Sequence, residues 1–166
     1  INLSDEYINE VIRFGHWKDT GILLKGEAVK SFTLMFLENW HIYRDSDEDY
    51  KQFMPSVSNI KCNSFIQPYM GTPMDPDELV ARNVYINILN DATDYVYITT
   101  PYLILDQELE NALINAAKRG VDVRIITPHI PDKKYVYAVT RSNYIALLKA
   151  GISIFEYTPG FIHAKN

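Results

Sequence analysis

His163 and Lys165 are the residues whose types and spacing best suit chemistry in this 166-residue sequence. They follow a turn, Thr158-Pro159-Gly160, and lie in a stretch, Phe161 to Lys165, that reads as a strand. Positions i and i+2 of a strand project from the same face, so an imidazole and an ammonium would address one spot. Such a pair suits phosphoryl transfer: the lysine offsets charge on phosphate oxygens, and the histidine attacks phosphorus or carries a proton. By itself an H-x-K triplet is weak, because motifs that short arise by chance. The other three histidines have plainer settings. His16 neighbours Trp17, His41 adjoins Trp40 in a helical pattern, and His129 lies in a loop between Pro128 and Pro131. Each reads as a packed or surface histidine.

Positioning elements follow from periodicity. Ser4 to about Arg13 reads as a short helical segment broken near Gly15, and Thr20 to Lys25 as a short buried strand. From Glu27 the residues Val29, Phe32, Phe36, Trp40 and Tyr43 recur at helical spacing. Asp45 to Asp49 reads as a solvated loop, and Asn63 to Tyr69 as an edge strand carrying Pro68. The segment from Gly71 to Pro76 is the best internal boundary. It also starts a helix, with Asp75 as cap, Pro76 at the first position and Glu78 at the third. That helix carries Val80, Val84 and Ile88 on one side.

Beyond it the order is regular. Strands are expected at Tyr95 to Thr100, Val121 to Thr127 and Ile152 to Tyr157, with helices at Asp106 to Arg119 and Asp132 to Ala150. Gly120 and Gly151 close the two helices. Alternating strands and helices predict an α/β fold with a largely parallel sheet.

Composition sets limits on partners. Apolar residues make up 47% and charged residues 22%, the balance of a folded globular chain rather than a disordered one. A net charge of -5 argues against broad nucleic-acid binding, which depends on many cationic contacts to phosphate. It leaves room for one anionic ligand in a locally positive pocket. The single cysteine, Cys62, excludes an internal disulfide or a thiolate metal cluster and fits a reducing compartment. No apolar run approaches the roughly 20 residues that span a bilayer. The first residue is Ile1, and Phe161 to Asn166 reads as a strand, so an internal segment of a longer protein is expected.

Several segments, taken in order, resemble cardiolipin synthases of the phospholipase D superfamily. Asn2 in Ile1-Asn2-Leu3-Ser4 resembles the Gly-Gly-x-Asn element that trails the family's first H-x-K-x4-D motif. Phe14-Gly15-His16-Trp17-Lys18-Asp19-Thr20 resembles the Trp-Arg/Lys-Asp segment that comes next, and Gly26-Glu27-Ala28-Val29 opens a matching helix. Thr99-Thr100-Pro101-Tyr102 is similar to the Thr-Pro-Tyr element of the second half. The corners at Arg119-Gly120-Val121 and Ala150-Gly151-Ile152 match family helix-to-strand turns. Ile162-His163-Ala164-Lys165-Asn166 resembles the opening of the second H-x-K-x4-D motif, whose Asp would fall beyond Asn166.

The resemblance implies a three-layer α/β/α phospholipase D-like fold, truncated at both ends, with a parallel or mixed sheet. Residues 1–71 would end the N-terminal half and residues 72–166 would begin the C-terminal half. Paired motifs would build one active site, and a phosphohistidine would carry the phosphatidyl group between two phosphatidylglycerol molecules. It implies His163 as general acid and base, Lys165 as a catalytic phosphate ligand, and Asp19 as the carboxylate that orients a catalytic histidine. Asn2 and Tyr102 would contact phosphate or headgroup. No metal or cofactor is implied, nor any nucleic-acid partner. The full-length parent would act on phospholipids at the cell membrane. This segment alone would be soluble, inactive without its companion motif, and prone to self-association through its many aromatics.

Plainer readings stand beside these. Asp19 would pair with Lys18 or another surface cation, Asn2 would be a cap or turn residue, and Tyr102 a core tyrosine. Another phospholipase D relative, or a non-catalytic α/β module that binds a phosphorylated ligand or a protein partner, with His163 and Lys165 a relic or an anion site, would fit the same residues.

Overall fold

The computed structural model describes residues 4–44, 49–56, 60, 64–71 and 79–166. The expected helix cap at Asp75, Pro76 and Glu78 lies outside the described residues, as do Asn2 and Cys62. Contacts divide the chain into two compact units. One joins Ile1–Gly21 to Arg82–Asn166, and the other is Ile22–Ala81.

The first unit is built on three parallel strands, β1 (Tyr95–Thr99), β2 (Asp122–Pro128) and β3 (Ser153–Tyr157), in the order β1-β2-β3. Ile98 lies opposite Ile125, and Ile125 opposite Ile154. Alternation along β2 sends Val123 and Ile125 into the core, while Arg124 faces the other way. The core packs these residues against Leu89 of α2 (Val80–Asp91), Leu113 and Ala116 of α3 (Gln107–Lys118), and Leu147 of α5 (Tyr144–Lys149). The fold class is α/β with an open sheet, as expected. On the opposite face Tyr95 and Tyr97 stack at 4.8 Å, and Arg124 lies over the Tyr97 ring.

Local chemistry explains the well-placed elements. Asp106 caps α3 by accepting from the Leu109 N–H at 2.8 Å, which satisfies one of the free donors of the first turn. Gly120 and Gly151 have φ of 95° and 94°, so each helix ends in a left-handed residue that turns the chain into the next strand. Arg119 donates to the Leu89 and Asn90 carbonyls, which ties the end of α2 to α3.

Five expectations need correction. The helix expected over Asp132 to Ala150 is two helices, α4 (Lys134–Ser142) and α5, separated at Asn143. There the Asn143 side chain donates to the Leu103 carbonyl at 2.8 Å, and Ser142 bonds back to Val139, so both polar side chains compete with the helix ladder. Ser4 to Arg13 is a run of turns, and Thr20 to Lys25 is irregular with Ile22 and Leu23 exposed. The described residues 64–69 form no strand. Phe161 to Lys165 is held by one isolated parallel bridge, Lys18 to Ile162, rather than by a ladder.

The second unit contains α1 (Ala28–Tyr43) and a short 3-10 turn, Tyr50–Phe53. Its helix starts where the aromatic periodicity predicted, with Leu37 buried and Phe36 stacked on Trp40. Among the described residues, no helix is long and apolar enough to cross a membrane.

Candidate active site

The loops that leave the carboxyl ends of β1, β2 and β3 carry Tyr102, Asp132 and His163 respectively. This end of an open α/β sheet is where ligands ordinarily bind.

Residues 16–19 run beside residues 159–164. His16 N–H donates to the Pro159 carbonyl, and Lys18 N–H to that of Phe161. The Lys18 carbonyl accepts from the His163 N–H at 2.7 Å and the Ala164 N–H at 3.2 Å. Close approach needs bare backbone: a Cβ on Gly160 would collide with the His16 main chain, and Gly15 holds φ of 72° against Pro159 and Gly160. Phe161, Ile162 and Ala164 are buried, while His163 and Lys165 turn outward.

This pairing brings Asp19 to His163. Asp19 Oδ2 lies 2.7 Å from His163 Nδ1, with the imidazole side chain 17% exposed and the carboxylate 39%. Burial pushes the Asp19 carboxyl up, but hydrogen bonds from His163 and the Thr20 N–H, with the charges of His163 and Lys165, hold it below its ordinary value. An ionised carboxylate only accepts, so His163 donates from Nδ1 and leaves Nε2 as the free nitrogen. Lys165 Nζ completes the cluster, lying over the ring 3.0 Å from Nε2 and donating to the His163 carbonyl at 2.7 Å. Its 3.3 Å approach to Nδ1 is only proximity, since that nitrogen already carries a proton.

The lowered Asp19 value has a testable consequence. A carboxyl depressed in the folded state contributes stability above its unfolded value, and that contribution is lost as pH falls through the lower folded value. Carbon-13 titration of the Asp19 carboxyl should show its midpoint rising toward the ordinary value in His163→Gln. An unchanged midpoint would mean that the pair does not form in solution.

The expected convergence of His163 and Lys165 therefore occurs, although without a regular strand. Tyr102 does not touch His163. Its hydroxyl donates to Asp132 at 2.6 Å and accepts from Lys133 at 2.9 Å, and the Lys133 ammonium lies 5.0 Å from the ring centroid. Burial and the bond to Asp132 push the Tyr102 hydroxyl up, with Lys133 opposing. Tyr102 and Lys165 share a cavity of about 430 Å³ whose walls include Tyr85, Ile88, Leu103 and Leu113. Asn2 lies outside the described residues. The remaining histidines have local partners: His16 with Tyr157, His129 with Glu156, and His41 against the Tyr50 ring. Sequence reasoning missed Tyr7 and Trp17, which lie against the imidazole, and Asn9, which holds the Trp17 main chain. Trp17 stood in a quoted motif, but only its apolar bulk hinted at burial.

A family profile described as cardiolipin synthase, PLD-like domain, matches residues 85–166. Curated relatives extend the likeness across 99% of the chain, among them a cardiolipin synthase of Alkalihalophilus pseudofirmus at 36% identity. The likeness is therefore to the cardiolipin synthase, PLD-like domain family. Cardiolipin synthase 2 of Bacillus cereus is 35% identical, and an uncharacterized protein of Streptococcus mutans 55%. The chain spans about a third of the length of these relatives, between 32% and 36%. No solved structure matches it. Within the PLD-like domain match lie the three strands, Tyr102, His163 and Lys165, while Asp19 falls in the longer stretch shared with the synthases.

Proposed function

We propose that this chain supplies one phosphate-handling half of a phosphatidyltransferase that condenses two phosphatidylglycerol molecules into cardiolipin and releases glycerol. The supporting observation is the Asp19–His163–Lys165 cluster, with Nδ1 held by a carboxylate at 2.7 Å and Nε2 left beside an ammonium at 3.0 Å. Likeness to cardiolipin synthases narrows the chemistry from phosphoryl transfer in general to phosphatidyl transfer.

In this scheme an imidazole attacks phosphorus of the first phosphatidylglycerol. The bond from phosphorus to the terminal glycerol oxygen breaks, and glycerol departs with a proton from a second imidazole. A hydroxyl of the second phosphatidylglycerol then attacks the phosphohistidine, returning its proton to that second imidazole and freeing the first. His163 takes the acid and base role, Asp19 fixes its tautomer, and Lys165 offsets charge on the phosphate oxygens. Tyr102 and Asn2 contribute contacts to headgroup or phosphate. The scheme needs neither metal nor organic cofactor, because imidazole is both nucleophile and proton carrier.

The companion histidine belongs to the first H-x-K-x4-D motif, and residues 1–166 contain no complete copy of either. Residues 1–71 and 72–166 are accordingly parts of the two halves of a longer enzyme that works at the cell membrane, and the 166-residue chain alone is inactive. The test is to supply phosphatidylglycerol vesicles to the full-length protein and to this chain, measuring cardiolipin and glycerol together. Full-length protein should form both in equal amounts. Phosphatidic acid without cardiolipin would replace transfer with hydrolysis. Turnover by the short chain above its His163→Ala control would overturn the proposed inactivity.

A further inference from the structure

We propose that Trp17, clamped by Asn9 and backed by Tyr7, is a positioning residue that seats the His163 imidazole and so selects the nitrogen offered to phosphate. The inference deepens the phosphatidyl-transfer reading and rests on it for its functional meaning, but its geometry stands by itself.

Trp17 is 7% exposed. Its ring centroid lies 5.3 Å from that of His163 at 44°, and 4.7 Å from that of Phe161. Tyr7 closes the seat, 4.2 Å from Trp17 and 5.7 Å from His163, meeting the imidazole edge-on at 78°. Phe161 lies on the same side as Trp17, its ring 6.0 Å from the imidazole at 29°. Three rings thus back one side of the imidazole and limit its rotation, whereas the Asp19 bond alone fixes one point on it.

The seat is itself held at two points. Asn9 Oδ1 accepts from the Trp17 N–H at 2.6 Å, and Asn9 Nδ2 donates to the Trp17 carbonyl at 3.1 Å. A carboxamide can make both bonds at once, as a neighbouring strand would. Asn9 does so with φ of 65°, a left-handed conformation that asparagine tolerates better than most residues. Asn9 therefore fixes Trp17, the Lys18 carbonyl fixes the His163 backbone, and Asp19 fixes Nδ1. Consecutive residues 17–19 act as one jig. Without the flat Trp17 face, the imidazole has room to rotate away from Asp19 and present either nitrogen.

Trp17 Nε1 is buried without a hydrogen-bond partner among the described residues, so the indole N–H plays no part in this role. What matters is a flat apolar face, and Trp17→Phe should preserve it while removing the orphan donor.

The test is long-range nitrogen-15 NMR of the His163 ring in the 166-residue chain, at mildly alkaline pH where free imidazole is neutral. Wild type and Trp17→Phe should show a single Nδ1–H tautomer. Trp17→Leu keeps apolar bulk but loses the flat face, and should populate both tautomers with faster exchange of the Nδ1 proton. Asn9→Asp, which cannot donate to the Trp17 carbonyl, should do the same with Trp17 intact. Trp17→Ala is the harsher variant, and Trp17→Leu keeps the question answerable if it fails to fold. A single unchanged tautomer in folded Trp17→Leu or Asn9→Asp overturns the proposal, as does loss of the tautomer in Trp17→Phe. In full-length enzyme the same Trp17→Leu change should lower kcat by about 10²-fold with little change in KM, as misplacement of a reacting group does. Because the NMR measurement requires no turnover, the seat and the transferase assignment fail separately.

Discussion

Full-length enzyme carrying His163→Ala should transfer phosphatidyl groups about 10²- to 10⁴-fold more slowly than wild type, the range associated with losing a general acid and base. Lys165→Ala should cost about 10²- to 10³-fold, as removal of one stabilising donor does. The double variant should be little worse than the more damaged single one, because the Lys165 ammonium lies 3.0 Å from His163 Nε2 and the two act as a unit. Asp19 separates orientation from charge. Asp19→Asn keeps an acceptor oxygen for the Nδ1–H but removes the negative charge, whereas Asp19→Ala removes both. If orientation is the main contribution, Asn should retain more activity than Ala. Undiminished transfer by His163→Ala would remove the assigned acid and base. Strictly additive losses would show that histidine and lysine serve separate steps.

Unfolding of the 166-residue chain carrying Phe161→Ala should occur at markedly lower urea, with a loss of about 3–5 kcal/mol as for other buried aromatics. Phe161 is 1% exposed, and its ring meets Trp17 at 4.7 Å, Phe14 at 6.3 Å and Tyr102 at 6.3 Å. Deleting it opens a cavity beneath both the 16–19 segment and the Tyr102 loop. Stabilities of single domains run to only about 5–15 kcal/mol, so this one change takes a large share. Phe161→Leu should restore much of it by refilling the space. Trp17 fluorescence, read in a Trp40→Phe background, reports the transition at the site itself. A shift in midpoint equivalent to less than about 1 kcal/mol would mean that this cluster is not packed in solution.

The sequence made some features legible and hid others for physical reasons. Local signals were sufficient for β1, α3, β2 and β3, because Asp106 caps a helix and Gly120 and Gly151 end helices through contacts a few residues away. The break at Asn143 escaped the periodicity because its cause is distant, the Leu103 carbonyl lying 40 residues earlier. Thr20 to Lys25 looked like a buried strand from its apolar run, yet Ile22 and Leu23 stay exposed, since an apolar run states a preference without naming a partner. His163 and Lys165 were visible as a triplet because i, i+2 geometry is local. Asp19 came only from family resemblance, and the Asn9 and Trp17 jig not at all. Their meeting depends on main-chain hydrogen bonds between Lys18 and residues 161–164, to which periodicity is blind.

Asp19 and His163 stand 144 residues apart in the chain yet are joined by a 2.7 Å hydrogen bond. The compact stretch Ile22–Ala81 lies between them along the polypeptide and contributes no group to that bond. In polymer terms it serves the dyad as a tether. The entropic cost of closing a flexible tether grows only with the logarithm of its length, about 0.6 kcal/mol for each doubling. Even a wholly flexible stretch in that place could therefore change in length at small thermodynamic expense to the pair. A side-chain carbon removed at position 19 has no such latitude: Asp19→Ala leaves the imidazole without its carboxylate, however generous the linker.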